Sequence, residues 1–214
     1  MNDFSNIAHR LYFFRHGESV ANDGKPTTDV ASIELTPKGV EQARALARFF
    51  PEAPQKVIVS SFLRTRKTAE LALSAFPGLS LEVWPIQEFT YLSPQRCAGT
   101  TNLERLPWVT EYWSRADPYY RDSSTAESFQ DLIARVDTTL LRIPFLLANY
   151  RFAAIFGHGI FMNALRWRAN NEQEAITSSS MRSCRDYTVN APIENGMGFR
   201  CELAAGRMHF FDIV

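Results

Sequence analysis

Three observations in the sequence predict an α/β fold, a three-layer α/β/α sandwich with a mostly parallel central sheet and helices on both faces. Short apolar runs, LYFF from Leu11, KVIVSS from Lys56 and FAAIFGHG from Phe152, recur along the chain. They lack the polar alternation of a half-exposed strand, which marks strands buried on both faces. Between them lie segments whose apolar residues fall at helical spacing, and such alternation implies a parallel sheet covered by helices.

The elements follow in order. LYFF predicts the first strand, followed by a polar loop, ESVANDGKPTTDVASIE. Thr36 then reads as an N-cap with Pro37 at the first helical position, and Val40, Ala43, Ala47 and Phe50 share one face. KVIVSS is the second strand, and Phe62, Thr65, Ala69, Leu73 and Phe76 line one side of the helix behind it. LSLEVWPIQEF is a third strand candidate, made less regular by Pro85. Residues 90–124 interrupt the alternation with turn formers and a dense aromatic set that includes Tyr91, Trp108, Tyr112, Trp113, Tyr119 and Tyr120. They read as an insertion over the sheet edge, a hydrophobic lid that would shape access. A long helix is expected from Thr125, with Phe129, Leu132, Ile133, Val136, Leu140 and Ile143 on its apolar face and Pro144 kinking or ending it. FAAIFGHG is the next strand and IFMNALRWRAN the helix behind it. DYTVNAPI, MGFRCEL and RMHFFDI are read as strands, the last after the turn AAGR.

Composition bounds what this fold can do. With 214 residues, 45% hydrophobic and 13% aromatic, the chain is expected to form a single domain over residues 1–214, and disordered or fibrous classes are excluded. Lys plus Arg and Asp plus Glu both count 23, so no global field points to nucleic acid or an anionic membrane, and any anion site must be local. Cys97, Cys184 and Cys201 lack metal-ligand spacing and leave an odd one over, which favours free thiols in a reducing compartment. The first ten residues carry an acid and no long apolar run, and no stretch reaches the roughly 18 apolar residues that a span requires. A cytoplasmic protein is expected; a homodimer is compatible with the sequence, which says nothing further about assembly.

The chemistry-bearing residues sit where strands end: Arg15 and His16 after the first, Ser60, Ser61 and Arg64 after the second, His158 after the one ending at Gly157. Were these strands neighbours, two arginines and two histidines would form a positive pocket in a neutral protein. Planar guanidinium groups pair well with tetrahedral oxyanions, so a phosphoryl group is the natural occupant. A neutral imidazole can attack phosphorus and split a difficult hydrolysis into two steps, while the leaving alkoxide needs a proton from a carboxylic acid.

LYFFRHGES with Asn22 six residues after the histidine, LTPKGVEQA, SSFLRTRKTAE, IQEF and FGHG, in this order, resemble the signature blocks of the histidine phosphatase superfamily, in its phosphoglycerate mutase-like branch (branch 1). The resemblance covers Leu11 to about Leu165. It implies that His16 is phosphorylated during turnover, that Arg15, Arg64 and His158 form the phosphate pocket, and that Asn22 adds a hydrogen bond. It implies Glu88 as proton donor, with Glu127 of STAESF as second candidate and as a substrate contact, a small phosphorylated substrate, and no metal or organic cofactor. Mutases of this branch carry a basic, glycine-containing block after the acid. This chain has EFTYLSP there, which favours a metal-independent phosphatase over a mutase, with a non-catalytic phosphate-binding module ranking third.

Plainer readings hold for other residues. Ser61 is expected to cap the following helix, His9 and His209 to be structural, and Arg96, Arg105 and Arg115 to be free surface arginines.

Overall fold

The structure is a computed structural model that describes residues 9–172 and 174–213. The expectation for the first residues therefore lies, for 1–8, outside the described residues. Among the described residues, six strands form one sheet in the order β3-β2-β4-β1-β5-β6: β1 (Arg10–Arg15), β2 (Lys56–Val59), β3 (Leu81–Val83), β4 (Phe152–Gly157), β5 (Gly198–Ala204) and β6 (Arg207–Ile213). The first four run parallel, and β5 and β6 form an antiparallel edge. The helices are α1 (Pro37–Ala45), α2 (Leu63–Ala72), α3 (Pro94–Cys97), α4 (Asn102–Arg115), α5 (Phe129–Asn149), α6 (Gly159–Asn170) and α7 (Ser178–Asn190). No helix among the described residues is long and apolar enough to cross a membrane.

Alternation along each strand feeds two cores, which is why the runs are apolar throughout. Leu11, Phe13, Ile58 and Ile155 face α5, α6 and α7, joining Leu132, Val136, Leu165 and Met181. Phe14, Val57, Val59 and Phe156 face the other side, where Leu46, Phe50, Ala69 and Ala72 close over them. Each fully buried phenylalanine contributes roughly 1.5–3 kcal/mol of burial, so both faces of β1 are strongly held and its end is a rigid platform.

Local signals account for most element ends. Thr36 caps α1, its hydroxyl accepting from Gly39 N, with Pro37 following as expected. In the β5–β6 hairpin, Ala205 and Gly206 take φ of 51° and 75°, the positive pair a two-residue turn demands. β3 stops at Val83: Trp84 N still bonds Val59 O, but Ile86 N, the next donor on that side, folds back onto Trp84 O at 2.8 Å, which ends the ladder and turns the chain toward Glu88.

Three expectations change. α5 begins at Phe129 rather than near Thr125, because Ser128 and Asp131 form a capping box. It also continues through Pro144 to Asn149 instead of ending there: burial of Ile143, Leu146 and Leu147 on one face outweighs the single backbone bond that proline removes. DYTVNAPI is not a strand, since Asp186–Asn190 complete α7, whose buried face starts upstream at Ser180, Met181 and Cys184. The β-branched residues misled because the buried positions lie in the polar SSSMRSC stretch. The aromatic insertion contains α4, opened by a capping box between Thr101 and Glu104. Its rings pack on one another, Tyr91 with Tyr112 at 4.6 Å and Phe89 with Tyr91 at 5.0 Å.

Candidate active site

Strand order brings the predicted residues together. β1 lies beside β4 with Arg15 opposite Gly157, and β2 lies on the other side of β4 with Val59 opposite Phe156. The residues that follow each strand therefore meet at one edge, the carboxyl ends where ligands bind in open α/β sheets.

His16 is held from several directions. Its own N–H bonds Gly157 O at 3.1 Å, while its carbonyl accepts from Gly196 N at 3.2 Å and Asn195 Nδ2 at 3.0 Å. The loop behind it lies backbone against backbone on α1: a Cβ on Gly17 would come within 2.2 Å of the Gly39 carbonyl oxygen, and one on Gly39 within 1.9 Å of the Glu18 oxygen. Both glycines are needed for that approach.

The partners of the ring fix its tautomer. His16 Nδ1 lies 2.7 Å from Gly17 O, an acceptor, so Nδ1 carries the proton. Nε2 receives the Nε–H of Arg64 at 3.1 Å and therefore holds the lone pair. Arg64 is itself buried, 5% exposed, and donates from its NH1 to Val30 O at 2.8 Å. Burial pulls the guanidinium down to about 10, opposed by the nearby Glu88 carboxylate, so it stays charged at neutral pH.

His158 is fully buried beside His16, ring centroids 5.1 Å apart. Thr65 Oγ1 donates to Phe62 O at 2.8 Å, so the Ser60 hydroxyl gives its proton to Thr65 and accepts from His158 Nε2, both at 2.8 Å. His158 Nδ1 is left without a partner among the described residues. Both imidazoles are pushed well below the usual histidine range, first by burial and then by the Arg64 cation. Each is neutral at pH 7.

That burial has a consequence for stability. Unfolded histidines take up protons below about pH 6.5 while these two do not, so stability is complete above that pH and falls on acidification toward the depressed folded values. Urea midpoints between pH 7.5 and 5 should show it. The stability difference between wild type and His16→Asn should change with pH at up to about 1.4 kcal/mol per unit below 6.5. A pH-independent difference would mean that folded His16 protonates normally.

Arg15 lies across the start of α6, where a Cβ on Gly159 would approach its Nε at 3.3 Å, and its NH1 donates to Ile193 O at 2.6 Å. Burial lowers it, countered by Glu88 and Glu194. Glu88 caps α6 from outside: Oε1 accepts from Phe161 N at 3.2 Å and Phe89 N at 3.1 Å, Oε2 from Ile160 N at 3.3 Å. His158, at the N-cap position of α6, makes no side-chain cap bond, so the helix end depends on this carboxylate. Asn22 Oδ1 accepts from Ser19 N, Ser19 Oγ and Asn195 Nδ2.

A cavity of about 420 Å³ opens at this edge, lined among others by Arg15, His16, Asn22, Arg64 and Glu88. His158 sits behind them. Apart from the buried His158, Glu127 is the predicted site residue that the structure does not bring to the cavity. It lies just before α5, paired with Arg135 Nε at 2.7 Å and accepting from Thr90 N at 3.0 Å. Ser61 caps nothing: the N-cap of α2 is Phe62, whose N–H bonds Ser60 Oγ at 3.1 Å. The insertion's arginines are engaged rather than free. Arg96 pairs with Asp122, Arg115 reaches Glu111, and Arg105 donates to Thr27, Thr100 and Cys97. The three cysteines are free thiols. Sequence reasoning missed residues 193–197, whose polar groups hold Arg15 and His16 from far along the chain with no motif to announce them.

Comparison with known proteins shows the family and the fold. Residues 11–187 match the histidine phosphatase superfamily (branch 1). The chain is 28% identical over 141 residues to the adenosylcobalamin/alpha-ribazole phosphatase of Salmonella typhimurium, covering 63% of this chain and 66% of that protein. It is 30% identical over 107 residues to a 2,3-bisphosphoglycerate-dependent phosphoglycerate mutase of Streptococcus thermophilus, covering 48% and 45%. The chain thus spans less than two thirds of the length of these curated relatives. The crystal structure of the alpha-ribazole phosphatase from Shigella flexneri shares the fold with a TM-score of 0.71 at 22% identity over 95% of each chain. With the strand-end arginines and histidines in one cluster and most of its length matched, the chain belongs to the histidine phosphatase superfamily, branch 1.

Proposed function

We propose that the protein hydrolyses phosphate monoesters through a covalent phosphohistidine on His16. The observation that carries this reading is the His16 ring itself: neutral, with its proton fixed on Nδ1 and its Nε2 lone pair turned to a buried arginine at the end of a cavity.

In this mechanism the substrate phosphoryl group enters between Arg15 and Arg64 and takes over the donor that Arg64 now gives His16 Nε2. Asn22 completes its contacts, and the bound dianion favours a second proton on His158 Nδ1, whose first proton stays on Nε2 toward Ser60, so that this nitrogen donates as well. Nε2 attacks phosphorus, the bond to the leaving oxygen breaks, and a protonated Glu88 gives the departing alkoxide its proton. Water then gives a proton to the Glu88 carboxylate and attacks phosphorus; the P–O bond forms as the P–Nε2 bond breaks, which releases phosphate and restores neutral His16. The two guanidinium groups meet the charge on the equatorial oxygens, so the steps as written need no metal ion. A mutase would hold further anionic groups of its substrate, and the four insertion arginines, Arg96, Arg105, Arg115 and Arg121, are already bound to protein groups.

Leaving-group dependence tests the proposal. Wild type should hydrolyse both p-nitrophenyl phosphate and 2-phenylethyl phosphate. Glu88→Gln should keep kcat/KM for the aryl ester within a few-fold, because that leaving group needs no proton. For the alkyl ester it should lose about 10²–10⁴. Equal losses on both esters would remove Glu88 as the acid, and interconversion of phosphoglycerates without hydrolysis would replace the phosphatase reading with the mutase one.

A further inference from the structure

The carboxylate that the mechanism uses as acid and base stands on an irregular segment, residues 84–92, that belongs to no helix or strand. A proton donor must stay within hydrogen-bond reach of the leaving oxygen, so something must hold this segment. The buried side chains of Trp84, Ile86, Phe89 and Leu92 anchor it in the core, and a single guanidinium on α5 grips the backbone beside Glu88. Arg135 NH1 donates to Pro85 O at 2.8 Å and Gln87 O at 3.1 Å, the backbone just before Glu88. Its Nε and NH2 form a bidentate pair with Glu127 at 2.7 and 3.0 Å, and Glu127 Oε2 accepts from Thr90 N, the backbone just after. The Arg135 guanidinium also lies over the Phe161 ring at 5.1 Å, and Phe161 N is one of the donors that grip the Glu88 carboxylate.

From this arrangement we infer that Arg135 and Glu127 are positioning residues for Glu88, an ion pair that clamps both sides of the acid's loop and fixes where its carboxylate meets the leaving group. The inference rests on the proposed role of Glu88. It gives Glu127 a task different from proton donation: its two oxygens are committed to Arg135 and Thr90. The pair is half-buried, and a planar fork that meets two carbonyls and a carboxylate at once has no equivalent in lysine, so Arg135→Lys should behave as a loss rather than as a conservative exchange.

Two readouts separate positioning from general support of the fold. The first is kinetic. Arg135→Gln should lower kcat/KM for 2-phenylethyl phosphate by about 10- to 100-fold and leave the value for p-nitrophenyl phosphate and inhibition by vanadate within a few-fold of wild type. In a Glu88→Gln background the same substitution should have almost no further effect on the alkyl ester. A loss that is equal on both esters, or that adds fully to that of Glu88→Gln, overturns the inference. The second readout does not depend on activity: the Phe89, Ile160 and Phe161 amides, which donate to Glu88, should exchange with deuterium at least about tenfold faster in Arg135→Gln. Unchanged exchange also overturns the inference. Faster exchange in a protein that hydrolyses neither ester supports the clamp and places the failure in the phosphatase reading. Should Arg135→Gln fail to fold, Glu127→Gln keeps the side-chain shape, removes the ion pair, and is expected to give the same two results at smaller amplitude.

Discussion

His16→Ala should abolish hydrolysis of p-nitrophenyl phosphate, with a loss in kcat of about 10⁴ or more, the scale seen when a covalent nucleophile is removed from a preorganised site. The expectation follows from the absence of a substitute. His158 shares the depressed protonation of His16, but it is fully buried behind the cavity with Nε2 bound to Ser60, and the hydroxyls of Ser60 and Thr65 are committed to each other and to the Phe62 backbone. The variant should remain folded. The loop that carries position 16 is held through backbone groups, His16 N to Gly157 O and Gly196 N to His16 O, and these survive loss of the ring. Turnover should be followed beside circular dichroism melting and beside capture of the acid-labile phosphoenzyme on rapid mixing. Wild type is expected to give the labelled intermediate and the variant none. A folded His16→Ala protein that keeps more than about one part in a hundred of wild-type activity would exclude the phosphohistidine route.

How much of this could be read without coordinates varied by residue. Arg15, His16, Arg64 and His158 were legible because each follows a run too apolar to be anything but a doubly buried strand, or sits one helical turn beyond it. Their convergence depends on β4 lying between β1 and β2, an order that the sequence pattern does not encode. Glu127 was legible as a carboxylate near a helix start but not as the partner of Arg135, since its alternative use, facing substrate, differs only in side-chain direction. Asn195 and Gly196 were invisible for a different reason: they reach the His16 carbonyl across the whole length of the chain, and nothing local in NGMG announces it. α7 was misread because its buried positions are occupied by Ser180, Met181 and Cys184, a stripe too polar to register as a helix face.

Arg64→Lys should be the second most damaging exchange, costing about 10²–10³ in kcat/KM even though the formal charge is kept at the outset. Arg64 performs two tasks at once: NH1 is tied to Val30 O, which sets the plane of the guanidinium, and Nε is thereby aimed at His16 Nε2, the point where the phosphoryl group is transferred. A lysine ammonium offers no second rigid arm and would have to point unaided. Burial opposes its charge as well. The same desolvation that brings Arg64 to about 10 would bring an amine, which starts lower, nearer to neutral pH. Activity of Arg64→Lys should therefore fall further as pH rises from 6 to 9, over a range where wild type does not lose its guanidinium charge. Arg15 is unable to compensate, because its own NH1 is held by Ile193 O and its side chain lies across Gly159. With the Arg64 cation removed altogether, as in Arg64→Met, His16 should protonate at a higher pH than in wild type, since that cation is the largest influence on it after burial. Histidine proton NMR reads this directly. A loss of less than about fivefold in Arg64→Lys, together with an unshifted His16 in Arg64→Met, would show that the contact between Arg64 and His16 does not organise the reaction.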